Sequence, residues 1–163
     1  MALEIERRFL VEPKRLPKLR KGKLQIQGYL NEQLTETTQE VRVRIEEKTA
    51  TLTIKSLQSG LVRQEFEYPI PLADAEALLK LTDKRVSKVR HNLAVAGKKW
   101  VIDFFQGKNF PLIIAEIELI NEKERFSLPL WVTKEITSDL SYTAMSLAFK
   151  PFQSWKRKDL KRG

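Results

Sequence analysis

The chain has 163 residues, 42% of them hydrophobic and 31% charged, with eight Phe and three Trp, a size and composition that exclude a disordered chain and need no disulfide or structural metal to fold. Thirty Lys and Arg against 21 Asp and Glu give a formal net charge of +9, which points to an anionic partner. No cysteine and a lone histidine, His91, exclude thiol chemistry, a Cys/His zinc site and any Ser-His-Asp triad that does not use His91.

Any metal must therefore be held by carboxylates. The N-terminus opens on alternating charged residues, not on a cationic stretch followed by an apolar run, and nowhere do about 18 apolar residues follow one another. A soluble, cytoplasmic protein with no membrane partner is expected.

In chain order, alternation with period 2 predicts strands over 3–10, 23–30, 39–46, 50–57, 61–68, 86–93, 98–105 and 112–120. Pro13, Pro17, Gly22, Asn31, Ser59-Gly60, Pro69, Gly97 and the stretch from Gly107 to Pro111 supply turns between them. Two segments change to the helical period. Pro71 to Thr82 puts Leu72, Ala75, Leu78 and Leu79 on one stripe; Asp139 to Phe149 does the same with Tyr142, Met145 and Phe149, and Pro151 stops it. Both are expected to cover the sheet from outside. Short connections favour antiparallel pairing, the exceptions being the basic 11–22 segment and the stretch after 120. One domain over 1–163 is expected, with a basic tail at 156–163.

Residues two apart on a strand share a face, so each strand can be sorted without its partner. Glu4, Glu6 and Arg8 oppose Leu3, Ile5, Arg7 and Phe9. Arg42 and Arg44 oppose Val41, Val43 and Ile45, while Lys55, with Thr51 and Thr53, opposes Leu52 and Ile54. Arg63, Glu65 and Glu67 share a face, as do Lys88 and Arg90; Asp103 opposes Ile102 and Phe104; Glu116 and Glu118 oppose Ala115, Ile117 and Leu119. Solvated outer faces over an apolar core are the ordinary explanation. Same-face pairs of arginines or of carboxylates argue against it. Two like charges about 4 Å apart repel by about 1 kcal/mol in water and about 4 at an effective dielectric of about 20, so they call for an oppositely charged ligand. The two signs balance on these faces, and the net positive charge arises between Lys14 and Lys23 and in the C-terminal tail.

If the strands close into an antiparallel barrel with these faces inward, the lumen holds cations that clasp an anion beside carboxylates that hold divalent metal. Phosphate chains need both. One or two carboxylates together with phosphate oxygens is the usual way Mg²⁺ is bound.

Glu4-Ile5-Glu6-Arg7-Arg8-Phe9-Leu10-Val11 resembles the N-terminal Glu-x-Glu-x-Lys signature of the CYTH, or triphosphate tunnel metalloenzyme, family, in particular its short bacterial inorganic triphosphatase-like members. The likeness runs in order through Gln27-Gly28-Tyr29-Leu30, Val41-Arg42-Val43-Arg44, Leu52-Thr53-Ile54-Lys55, Arg63 with Glu65 and Glu67, and Lys88-Val89-Arg90. It continues through Trp100 to Asp103, Ala115-Glu116-Ile117-Glu118-Leu119 and Lys134-Glu135-Ile136-Thr137. The resemblance implies a mainly β (α+β) fold, an eight-stranded antiparallel closed barrel, or tunnel, with a charged lumen and covering helices. It implies a triphosphate clamp of Arg42, Arg44, Lys55, Lys88 and Arg90, joined by Arg63 and Arg8. It implies one or two Mg²⁺ or Mn²⁺ ions on Glu4, Glu6, Glu116 and Glu118, supported by Asp103. The implied reaction is hydrolysis of inorganic triphosphate to pyrophosphate and phosphate, with nucleoside triphosphates as poorer substrates and Arg8, Glu116 and Glu118 as catalytic residues.

Three positions depart from the family pattern. Arg8 stands where the signature has Lys; it keeps the charge and grips phosphate through two donors, but it stays protonated and loses any proton-transfer role. His91 stands where a Tyr commonly follows the Lys-x-Arg pair and, on the face opposite Lys88 and Arg90, reads as a packing residue. Val101 replaces an acidic residue on the face of Asp103. On the same fold, an adenylate cyclase and a thiamine triphosphatase are the alternatives; from another class, a non-catalytic module holding polyphosphate or RNA ends. A small polyanion is favoured over nucleic acid because Trp100, Trp131 and Trp155 do not flank a basic face and read as core or subunit contacts. Family likeness and uncovered apolar strand faces suggest a homodimer.

Overall fold

The computed structural model describes residues 2–34, 39–56 and 61–156. The strands and α-helices among them are β1 (Ala2–Val11), β2 (Lys23–Tyr29), β3 (Glu40–Glu46), β4 (Thr49–Lys55), β5 (Val62–Pro69), α1 (Leu72–Leu79), β6 (Arg85–Val95), β7 (Lys98–Phe105), β8 (Ile113–Glu118), β9 (Val132–Glu135) and α2 (Ala144–Phe149). Pairing is antiparallel in the order β1-β5-β4-β3-β2-β6-β7-β8, and β8 returns to β1, so the eight predicted strands close a barrel. The predicted turn at Ser59-Gly60 and the basic tail beyond Lys156 lie outside the described residues.

Closure divides β1 between neighbours. Residues Ala2 to Ile5 pair with β5, Glu6 to Leu10 with β8, and Phe9 to Val11 with β9. The short strand β9 was not expected, because four residues are too few for alternation to register. The β6–β7 hairpin turns on Ala96 and Gly97, whose φ values of 49° and 75° are the left-handed pair that matches strand twist in a two-residue turn. At Gly28 a Cβ would stand 2.7 Å from Leu79 Cδ2, so glycine lets the end of α1 lie against β2.

Outside the barrel, Ala75 and Leu79 of α1 pack on Val43 and Ala50. Phe9, Trp100, Ile102, Ala115 and Ile117 face outward from β1, β7 and β8 under Leu16, Leu19, Phe126 and Trp131, which belong to the two long connections. Trp100 is fully buried, with ring centroids 5.6 Å from Phe9 and 5.2 Å from Trp131. Trp100→Ala is expected to cost about 3–5 kcal/mol, read from urea unfolding at unchanged slope; a loss below about 1 kcal/mol would show that this cluster does not support the barrel. Trp155 packs on Tyr142 and Phe152, so all three tryptophans are packing residues. Leu24 and Ile26, on the outer face of β2, remain 45% and 38% exposed.

The second helix departs from expectation. It does not cover the outside. Beyond the charged inward positions, one end of the barrel presents apolar inward residues, Leu10, Tyr29, Val86, Phe105 and Ile114, and Tyr142, Met145, Leu147 and Ala148 pack among them. The apolar stripe that reads as an outer cover therefore plugs the barrel from within. The plug is also shorter than predicted. A 3₁₀ turn at Leu140–Tyr142 precedes it, and Thr143 caps α2, its Oγ1 accepting from the Ser146 amide at 3.1 Å.

Candidate active site: a charged lumen closed at one end

The remaining interior is a cavity of about 580 Å³. Glu4, Glu6 and Arg8 of β1, Arg42 and Arg44 of β3, Lys55 of β4, Arg63 of β5, Lys88 and Arg90 of β6, and Glu116 and Glu118 of β8 all line it. Of the predicted site residues, only Asp103 does not.

Ring order separates the charges. Adjacent strands β1 and β8 set Glu6 opposite Glu118 and Arg8 opposite Glu116 in register. Across the barrel, β3 and β6 flank β2 and carry Arg42, Arg44, Lys88 and Arg90. Between these cations β2 places neutral side chains. Gln27 Oε1 accepts from Arg44 Nε at 3.0 Å, and Gln27 Nε2 donates to the Tyr29 hydroxyl at 2.7 Å, so Arg44 is oriented without being neutralised. Burial, with Arg42 and Arg90 nearby, pushes Arg44 down to about 10. Burial and then Glu40 push the Tyr29 hydroxyl up to about 12. Arg44 thus keeps a charge that Gln27 does not cancel, while Arg42 Nη1 lies 3.8 Å from Glu40 Oε2.

Asp103 sits behind that wall, 1% exposed. Its Oδ2 accepts from Lys88 Nζ and Arg90 Nη2, and its Oδ1 from Arg90 Nε, each at 2.8 Å. Burial opposes its ionisation, yet the Lys88 charge and the paired bonds from Arg90 hold it well below the usual carboxylate range. Burial likewise pushes Lys88 down to about 7 against the pull of Asp103. Alternation turns Asp103 inward, but the neighbouring strand's cations cover it and take up both oxygens. Asp103 thus stands behind the cations and not among the side chains that line the cavity.

The other carboxylates do face the cavity. Lys55 Nζ donates to Glu4 Oε1 at 3.0 Å and lies 2.9 Å from Oε2, which receives no well-directed hydrogen bond. Burial, then Glu116 and Glu4, push Glu6 up to about 8. Burial also works against ionising Glu116, but Arg8, with Arg90 and Lys88, outweighs it and holds that carboxyl below its ordinary value. Among the described residues no three acidic or histidine side chains are gathered closely enough to hold a metal alone. Crowded carboxylates with an unfilled buried oxygen nevertheless fit a hard divalent cation that draws its remaining ligands from phosphate and water.

Arg8 is not free in the lumen. Its Nε donates to Glu116 Oε1 at 3.3 Å and its Nη2 to the Tyr142 carbonyl at 2.9 Å. His91 lies on the outer wall, edge-on to Phe104 at 5.2 Å, with Nδ1 2.7 Å from the Arg20 carbonyl. Val101 lines the cavity beside Glu116, in register with it. Sequence reasoning missed Glu40, which lines the cavity at 6% exposure, two residues before Arg42 on the same face. Its signal was the alternation itself, carried one step further back. Thr137 and Thr143 also line the cavity, and no strand pattern marks them because they belong to the chain folded back over the barrel's end.

A closed eight-stranded barrel with an acidic inner wall and a basic one sets the structural class, and residues 2–148 match the CYTH domain; the chain belongs to that family. It is similar to an inorganic triphosphatase of Acetivibrio thermocellus, 37% identical over 158 residues that make up 96% of this chain and 99% of that one. An inorganic triphosphatase of Nitrosomonas europaea is 34% identical over 151 residues, 89% of this chain and 96% of its own. A crystal structure of an inorganic triphosphatase superposes with a TM-score of 0.66 at 33% identity, over 91% of this chain and 95% of that one. Among the described residues no helix is long and apolar enough to cross a membrane.

Proposed function

We propose that the chain hydrolyses inorganic triphosphate to pyrophosphate and phosphate with Mg²⁺ or Mn²⁺ held by Glu4, Glu6, Glu116 and Glu118. The observation that carries this reading is a β1/β8 carboxylate wall and a β3/β6 cation wall lining one cavity and meeting where Arg90 Nη2 lies 3.8 Å from Glu116 Oε2. When bound, the cation supplies neutralisation of the phosphate oxygens and a water of lowered pKa. Arg42, Arg44 and Arg90 each offer paired donors and Lys88 a point charge, so together they hold an extended phosphate chain with its reacting phosphorus in line. Glu116 and Glu118 orient the attacking water, and Glu116 takes its proton on Oε2, the oxygen that does not accept from Arg8. Asp103 acts from behind as the counter-ion that aims Lys88 and Arg90.

Product analysis with tripolyphosphate, ATP and thiamine triphosphate, each with Mg²⁺, Mn²⁺ or EDTA, tests the reading. Equal amounts of phosphate and pyrophosphate from tripolyphosphate, abolished by EDTA, are expected. Turnover that survives EDTA would remove the metal, a cyclic nucleotide from ATP would replace hydrolysis by cyclisation, and salt-sensitive binding without turnover would leave a binding module.

A further inference from the structure

Arg8 stands where the charged lumen meets the apolar plug: Glu6 precedes it on the inner face of β1, and Leu10, the next inward residue, packs in the plug cluster. We propose that Arg8 is a positioning residue that latches the plug into the barrel, making the lumen blind at that end and so favouring short phosphate chains over long ones. The second half rests on the reading of the lumen as a phosphate-chain site; the first does not.

Residue 8 grips both ends of the segment that leads into α2. Its amide donates to Thr137 Oγ1 at 3.0 Å, its carbonyl accepts from the Ile136 amide at 2.8 Å, and its guanidinium donates to the Tyr142 carbonyl at 2.9 Å. The Tyr142 carbonyl directly precedes Thr143, the cap of α2. The same guanidinium reaches Glu116 on the opposite side, and the side chain is 9% exposed. A planar fork serves two acceptors in fixed directions, whereas a lysine ammonium is a single point on a flexible stem. Two of the fork's three nitrogens are thus engaged by protein, and Arg8 acts on the site chiefly through what it holds.

That hold matters because α2 has six residues and no stability of its own. Its place depends on the packing of Tyr142, Met145, Leu147 and Ala148 and on this buried charge-assisted bond. The plug is also the cavity's end wall, since Thr137, Leu140, Thr143 and Ala144 line it. A phosphate chain too long for the cavity cannot thread past a seated plug. Loosening the plug removes that end wall.

Amide hydrogen exchange of the full chain without ligand, compared between wild type, Arg8→Lys and Arg8→Gln, tests the latch. Peptides covering 136–149 are expected to exchange at least about tenfold faster in both variants, with the strands unchanged. Unchanged exchange there would overturn the latch and leave Arg8 a plain phosphate ligand. The chain-length half is read from the ratio of kcat/KM for tripolyphosphate to that for long-chain polyphosphate, which is expected to fall about tenfold in Arg8→Lys. Leu147→Ala, which loosens the plug from its far side without touching the charged lumen, must lower the same ratio. An unchanged ratio in Leu147→Ala would overturn the chain-length half even if Arg8→Lys folds poorly. Should wild type fail to cleave tripolyphosphate, the functional reading falls while the exchange data still judge the latch.

Discussion

Glu116→Gln is expected to lower tripolyphosphate turnover about a thousandfold while the barrel stays folded. Glu116 sits in register with Arg8 and Val101, its side chain 18% exposed to the cavity. A glutamine oxygen still accepts the bond that Arg8 Nε donates at 3.3 Å, so the wall keeps its geometry. What is lost is a negative charge beside the phosphate chain and the group assigned to take the water's proton. Phosphate release under single-turnover conditions, with circular dichroism as the folding control, reads the effect. Undiminished turnover would move the proton-accepting role to another carboxylate.

Asp103→Asn is expected to cost about 3–5 kcal/mol of stability, because it leaves Lys88 and Arg90 buried together without their shared counter-ion. Both cations would also turn from the phosphate chain, so KM for tripolyphosphate is expected to rise. The sign of the pH dependence follows from the depressed acidity of Asp103. Its contribution is complete above the unfolded carboxyl's pKa of about 4 and is lost as the pH falls toward the lower folded value, so wild type and variant should converge in strong acid. A melting difference at neutral pH that persists undiminished in strong acid, or none at neutral pH, would contradict the buried counter-ion role.

Alternation made the eight barrel strands legible, because a two-residue period survives without knowledge of any partner. It could not say which face is inside. That came from chemistry: Arg42 with Arg44, and Glu116 with Glu118, are pairs that a solvated face has no reason to collect and a ligand-binding lumen does. Asp103 shows the limit of such reasoning. It shares the inward face by pattern, but only strand register shows that Lys88 and Arg90 of β6 lie over it. The plug was hidden for another reason. An apolar stripe on α2 fits an outer wall as well as the inner end of a barrel, and the residues that receive it, among them Leu10, Val86, Phe105 and Ile114, are spread over four strands. Arg8 was legible as a departure from a signature, while its bond to the Tyr142 carbonyl, across 134 positions of sequence, was not.

The most direct measurement is a crystal structure of the protein soaked with a non-hydrolysable imido analogue of triphosphate. The anion is expected inside the barrel, touching Arg42, Arg44 and Arg90 on one wall and approaching Glu116 on the other. An anion bound instead to the basic segment between Lys14 and Lys23, with the lumen unchanged, would contradict it.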